Sequence, residues 1–218
     1  MTGLRNFEAY QVCTVAVGLV GDISRAIEDK IQPFCDEIMS ALIEALQNAS
    51  LHRNVKPPVL SCFGDIAMAI GAVYEPYLQL SLMMLLQAAQ TRAPDDDDEL
   101  ILYVNQLREG ILEAYTGIIQ GLKDGGRVDL LLPYVDVIMG FLEMLAQERA
   151  KDYDNEVLGK AVGLVGDIAS SLSAKIKEQI RQPYVIELLK EGNESGDKTI
   201  IETSNWASGV VQQLLASC

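Results

Sequence analysis

Histidine is almost missing from this chain, and with it the commonest means of acid–base catalysis. The single one, His52, stands in a loop beside Arg53, with no paired carboxylate or serine motif around it. It reads as a surface turn residue. There is no HExxH, GxSxG, phosphate loop or CxxC, the spacings that set a base beside a nucleophile, ligands on one metal, or free amides around a phosphate. The expectation is a protein that is not an enzyme and carries no catalytic residue, metal or cofactor. Cysteine is also sparse: Cys13, Cys35, Cys62 and Cys218 have no metal-ligand spacing. They read as reduced thiols of an intracellular protein rather than a disulfide frame.

Basic residues are short as well. Seventeen Lys and Arg face 31 Asp and Glu, a net charge of −14. Binding phosphates needs clusters of Lys and Arg, so nucleic acid is excluded as the main partner. The balance suits either a solvated acidic surface or a basic partner. Long apolar runs are lacking: the longest, around Leu78 to Leu86, already contains Gln79 and Ser81. None approaches the ~20 residues of a membrane-spanning helix. Met1 leads through Thr2-Gly3 into a helical pattern, which reads as no signal peptide. Hydrophobic residues, at 49%, are nevertheless too many for disorder.

What is present is repetition. Ala16-Val17-Gly18-Leu19-Val20-Gly21-Asp22-Ile23 is written again, letter for letter, from Ala161 to Ile168. A shorter echo, Phe63-Gly64-Asp65-Ile66-Ala67, and a weaker one, Ala114 to Gln120, lie between them. Taking Asp22, Asp65, Gln120 and Asp167 as equivalent gives steps of 43, 55 and 47 residues. The pairs Pro33-Phe34, Pro76-Tyr77, Pro133-Tyr134 and Pro183-Tyr184 recur at 43, 57 and 50. Two markers with nearly one period point to two-helix repeats of the HEAT or armadillo kind. The expected fold is an all-α, HEAT-repeat right-handed solenoid, an α-α superhelix of about four helical pairs plus one leading helix. Its boundaries are a helix over 7–27 and repeats over 33–73, 76–122, 133–175 and 183–217. Each pair opens on a Pro-aromatic helix and closes on the small-residue helix. An array that opens on half a repeat looks cut from something longer, and its uncovered first helix face invites self-association.

Within the first helix Gln11, Thr14, Gly18, Asp22, Arg25 and Asp29 share one stripe, with Val12, Val15, Leu19, Val20 and Ile23 on the other side. The second helix, from Pro33, is expected to bury Phe34, Ile38, Leu42 and Leu46. The run from Pro94 through Asp95, Asp96, Asp97 and Asp98 to Glu99 suits the start of a helix, where carboxylates cap and meet the dipole. A calcium loop is the alternative, but the alternating ligands and glycine are missing. Gly18, Gly21, Gly64, Gly163 and Gly166 each cost roughly 1 kcal/mol inside a helix, which close approach of neighbouring helices offsets.

Asp22, Asp65, Gln120 and Asp167 would form a ladder along successive helices, with Gln11, Glu109, Glu113 and Glu156 nearby. Each aspartate either bonds to the next repeat or contributes to a negative wall for a basic ligand; the two readings are compatible. On the last helix, Ile200, Ala207, Val210 or Val211 and Leu214 form the apolar side, and Glu202, Trp206, Gly209 and Gln213 the opposite one. Tryptophan beside acid suits a binding hot spot for an Arg or Lys. The alternative is that Trp206 fills an end cap.

Glu8 to Cys13, Val17 to Asp22, Pro33 to Glu37, His52 to Pro57, Phe63 to Gly71, Leu112 to Ile118 and Trp206-Ala207 together resemble the importin-β family. The likeness runs from about Leu4 to Leu215 and corresponds to the C-terminal portion of that family's longer superhelix. The resemblance implies a nuclear transport receptor segment acting between cytoplasm and nucleus and at the nuclear pore. It implies first helices on a convex face and second helices on a concave one, where the C-terminal repeats grip the basic importin-β-binding domain of importin-α. Trp206 matches a family tryptophan lying against that basic helix. Glu109, Glu113, Glu156, Asp167 and Glu202 join it by helical phasing. Further implied partners are nucleoporins with Phe-Gly repeats on the convex face, and Ran-GTP, mainly through repeats beyond this chain. A generic HEAT scaffold, such as that of a phosphatase complex, is the alternative, although a tighter repeat length would be expected there.

Overall fold

Glycine and proline punctuate the chain into ten α-helices among the described residues. These are α1 (Tyr10–Ile27), α2 (Cys35–Gln47), α3 (Lys56–Ile70), α4 (Glu75–Ala88), α5 (Asp98–Asp124), α6 (Val135–Asp152), α7 (Asn155–Leu172), the one-turn α8 (Lys177–Ile180), α9 (Pro183–Glu194) and α10 (Lys198–Ala216). The computed structural model describes residues 1–218 except Asp95, Tyr153 and Cys218, and the side chains at 149–152 and 174. The fold is all-α, of the HEAT-repeat solenoid class. Two compact units divide it: Met1–Arg92 with Leu102–Arg127, and Ala93–Ile101 with Val128–Cys218.

In the first unit α1 packs on α3, and α2 packs on both α3 and α4. The contact of α3 with α5 is backbone against backbone. A Cβ on Gly64 would stand 2.8 Å from the Glu113 carbonyl oxygen, and one on Gly117 would stand 2.6 Å from the Gly64 Cα. Here the cost of helical glycine is offset by close approach, as the sequence suggested. Gly18 is different: nothing lies within 4 Å of its would-be Cβ. In the second unit α7 packs on α9 and α10, and α6 on α9.

The repeat is written in the backbone too. Six residues after Asp22, Asp65 and Asp167, the helices α1, α3 and α7 end on Glu28 (φ 52°), Gly71 (φ 56°) and Ser173 (φ 50°). Six after Gln120 comes Gly126, at φ 70°. A residue of positive φ thus stops α1, α3 and α7, whichever side chain it carries, and Gly126 lies two residues past the end of α5. A 3-10 turn follows in each case and absorbs the proline at positions 33 and 133, so α2 and α6 begin two residues after those prolines rather than on them.

One expectation about burial needs correction. Phe34 is 59% exposed, because it closes the 3-10 turn instead of entering α2; Cys35, Ile38, Met39 and Leu42 form that helix's buried side. On α1 both stripes are exposed, Gln11, Gly18, Asp22 and Arg25 as well as the apolar Val12, Val15, Leu19 and Ile23, while Cys13, Val17, Gly21 and Ser24 are buried on the side that packs on α3. One helical stretch, Arg53–Ala88, contains an 18-residue window apolar enough for a membrane span, yet 56% of that window is buried and the stretch comprises α3 and α4 broken at Gly71. Of the acidic run, Asp97 accepts the Leu100 N–H at 2.9 Å at the start of α5; Asp95 lies outside the described residues, as does Cys218.

Candidate protein-binding site

In the second unit, α7 and α10 are set by their caps. Asp154 accepts the Val157 N–H at 3.1 Å, and Asp197 accepts those of Thr199 and Ile200 at 2.8 and 3.2 Å. From that start α10 buries Ile200, Ser204, Ala207, Val211 and Leu214, with the Ser204 hydroxyl donating to the Leu189 carbonyl at 2.6 Å. The opposite face therefore carries Glu202, Trp206 and Gln213, as helical phasing requires.

Trp206 is 46% exposed, and its six-membered ring lies across α7 at Gly166. A Cβ on Gly166 would fall 2.6 Å from Cη2 and 2.9 Å from Cε3, well inside contact distance. Gly166 thus seats an indole, a role invisible in a motif that recurs where no tryptophan follows. One face of the ring is packed and the rest is open, so Trp206 both fills a gap and offers a surface.

The carboxylates of this face carry lysines of their own helices. Glu156 lies 3.7 Å from the Lys160 ammonium and Glu202 lies 3.6 Å from that of Lys198, with side-chain exposures of 76% and 67%. Exposed i,i+4 pairs contribute well under ~1 kcal/mol, so an incoming cation exchanges for them readily. Asp167 is half-buried beside Gly166 on α7.

The first unit holds the other acidic residues. A cavity of about 550 Å³ opens between α1, α3 and α5, lined in part by Asp22, Arg25, Ser61, Asp65, Glu113 and Gln120. The first three members of the aspartate ladder therefore share one cavity. At Asp22 and Asp65 an arginine makes the link. Arg25 reaches across from α1 to Asp65 on α3, and pairs on its own helix with Asp22 at 2.7 Å. The hydrogen bond to Asp65 raises the arginine's pKa first of all, outweighing the opposing effect of burial. Gly21 makes room: a Cβ there would crowd the Asp65 carboxylate, at 3.4 Å from its Cγ. Glu113 accepts the Ser61 hydroxyl at 2.6 Å, and Glu109, half-buried, stands one turn earlier on α5.

The six side chains expected to face a basic helix thus fall into two sets: Glu109 and Glu113 in the first unit, and Glu156, Asp167, Glu202 and Trp206 in the second. Sequence reading missed the cations among them. Arg25 at i+3 from Asp22, Lys160 at i+4 from Glu156 and Lys198 at i−4 from Glu202 were each visible as helical pairs.

The proline-led helices make a second kind of surface. In the first unit a small groove of about 130 Å³ is lined by Leu46, Leu60, Met84 and Leu107 among others. In the second, the groove between α6 and α9 is polar, with Asp136, Glu143, Glu178 and Gln179 around Tyr184. Burial, then Glu143 and Asp136, push the Tyr184 phenol up to about 12.

Comparison with known proteins places this geometry. The family described as importin subunit beta-1-like, TPR repeats, matches residues 1–193. Importin subunit beta-1 of Arabidopsis thaliana is 46% identical over 217 residues, 98% of this chain and 25% of the plant protein. A crystal structure of importin beta in a polyethylene glycol condition superposes with a TM-score of 0.92 at 34% identity, over 99% of this chain and 26% of the other. The Kap95:Nup1 complex gives 0.87 at 31% identity, over 99% and 25%. The chain spans about a quarter of the length of these relatives. With a family match over most of its residues, the chain belongs to the importin subunit beta-1-like family.

Proposed function

We propose that this chain is a segment of a nuclear transport receptor whose small-residue helices bind a basic helix, the importin-β-binding domain of importin-α or basic cargo. The observation that carries the reading is Trp206: a half-exposed indole seated on Gly166, with Glu202 one turn earlier on α10 and Asp167 next to Gly166 on α7. An aromatic anchor fixes the register of a bound helix, and carboxylates draw in its Arg and Lys side chains. The residues proposed to meet it are Glu156, Asp167, Glu202 and Trp206 in the second unit, and Glu109 and Glu113 in the first. The chain's repeats run over 33–73, 76–122, 133–175 and 183–217. Such a receptor shuttles between cytoplasm and nucleus and passes the nuclear envelope at the pore. Ran-GTP engages it mainly through repeats outside this chain.

The test is a fluorescence-anisotropy titration of a labelled importin-β-binding-domain helix against the chain and Trp206→Ala at two salt concentrations. Salt-sensitive binding that weakens by about 1 kcal/mol or more in the variant is expected. Equal binding by both proteins, or none at low salt, overturns the reading.

A second reading concerns nucleoporins. The groove at Leu46, Leu60, Met84 and Leu107, with Lys56, Gln87 and Thr91 also lining it, is the candidate for a phenylalanine ring of a Phe-Gly repeat. Similarity to Kap95 in its complex with Nup1 supports this reading. Leu46→Ser should weaken a Phe-Gly peptide and leave the basic helix unaffected; the converse pattern would remove the groove from consideration.

A further inference from the structure

We infer that Gln179 keeps the groove between α6 and α9 open by holding Asp136, the carboxylate that Tyr184 would otherwise bond to draw the two helices together. The two units supply the comparison. Asp36 and Asp136 each stand three residues after the proline that leads the outer helix, Pro33 or Pro133. Tyr77 and Tyr184 each stand one residue after the proline of the following repeat, Pro76 or Pro183. In the first unit the Tyr77 hydroxyl donates to Asp36 and links α4 to α2. In the second the same pair is in place, but Asp136 accepts from the Gln179 side-chain amide at 3.1 Å, and among the described residues the Tyr184 hydroxyl makes no hydrogen bond. The phenol stays close to its counterpart. Tyr184 and Asp136 line one cavity of about 280 Å³, with Met139, Gly140 and Glu143.

The connection before the proline makes the difference. From the residue of positive φ to that proline is five residues at Glu28–Pro33 and at Gly71–Pro76, and ten at Ser173–Pro183. The shorter Gly71 connection holds a 3-10 turn, Gly71–Tyr74, whereas the longer one has room for α8. Four residues before the proline stands Ala72 in the first unit and Gln179 in the second. A methyl group offers Asp36 no donor, so the phenol takes it; an amide does offer one. α8 is itself fixed, with Ile180 buried and the Lys177 ammonium donating to the Ser217 carbonyl at the end of α10. Amide and phenol are both neutral donors to an exposed carboxylate, so exchanging one for the other costs little. With the amide gone, closing the groove gains a hydrogen bond that the open form lacks.

Access to the groove is the readout. Gly140 lines it, and nothing lies within 4 Å of its would-be Cβ, so Gly140→Cys places a thiol at the opening. Cys13, Cys35 and Cys62 are buried, and Cys218→Ser removes the remaining thiol. Labelling of this protein should be fast. Adding Gln179→Ala should slow it about fivefold, the factor that one net hydrogen bond gives. Adding Tyr184→Phe as well, which keeps the ring and removes the hydroxyl, should restore the fast rate. An unchanged or faster rate on loss of Gln179 overturns the inference, as does a slowing that persists without the Tyr184 hydroxyl. Urea melts of the full chain give an independent check. Tyr184→Phe should be near neutral alone and raise the unfolding constant about fivefold in the Gln179→Ala background. Equal effects in the two backgrounds would also overturn it.

Discussion

The indole of Trp206 rests on the bare backbone of Gly166, and no side chain larger than hydrogen fits between them. Gly166→Ala should therefore lift the ring from its seat. Crowding of this kind costs about 1–3 kcal/mol, read as a lower denaturation midpoint. Binding of a basic helix should weaken along with it. Gly18→Ala, in the same motif but with open space at its Cβ, should stabilise by up to about 1 kcal/mol instead.

The left-handed caps give the second prediction. Glu28 and Ser173 adopt the backbone that Gly71 supplies at the corresponding place, with φ near 50° and ψ near −131° and −136°. Such conformations strain any residue with a Cβ. Glu28→Gly and Ser173→Gly should each raise stability by about 1 kcal/mol, and Gly71→Ala should lower it by at least as much, in urea melts.

Thiol chemistry should be silent until the chain unfolds. Cys13, Cys35 and Cys62 are buried. Burial raises all three pKa values, with Cys35 pushed up to about 11 by burial and then by Asp36. In a Cys218→Ser background, a thiol reagent at about pH 8 should label nothing in the folded protein and all three sites in denaturant. Rapid labelling without denaturant would contradict this packing.

Acid sensitivity has an identifiable contributor in Arg5 and Glu44, paired at 2.8 Å. The hydrogen bond from Arg5 lowers the Glu44 carboxyl below its ordinary 4.5. A depressed folded-state value means that this contribution is complete above the ordinary value and is lost as pH falls through the lowered one. Melting temperature should drop through that window, and Glu44→Gln should flatten the drop. The pair is exposed, so the change will be small.

The apolar stripe of α1 should drive association. Val12 is 48% exposed, Val15 71% and Leu19 54%, next to an apolar cavity of about 470 Å³. Sedimentation velocity should show concentration-dependent larger species, reduced in Val15→Glu/Leu19→Glu. An unaltered chain that stays monomeric at high concentration would refute this.

The helices and their period were legible because glycine, proline and aspartate recur at matched offsets, and those residues act through local backbone geometry. Contacts across helices were less legible. Nothing in Gly166-Asp167 distinguishes a glycine that seats an indole from one that seats a carboxylate, as Gly21 does; the difference lies in what the neighbouring helix presents. Phe34 misled for a related reason. Periodicity identifies an apolar face, but not whether a neighbour covers it. The acidic residues were found by phase alone, and the same helical spacing that would have paired them with Arg25, Lys160 and Lys198 was not applied to the cations.

Trp206 is the only tryptophan in the chain. Under indole-selective excitation, light emitted by this protein therefore originates at one contact, the place where α10 crosses Gly166. Emission wavelength and quenching by a soluble collider then report directly on that contact, with no label and no mutation. The protein carries its own optical probe in the part of its surface with the most to report.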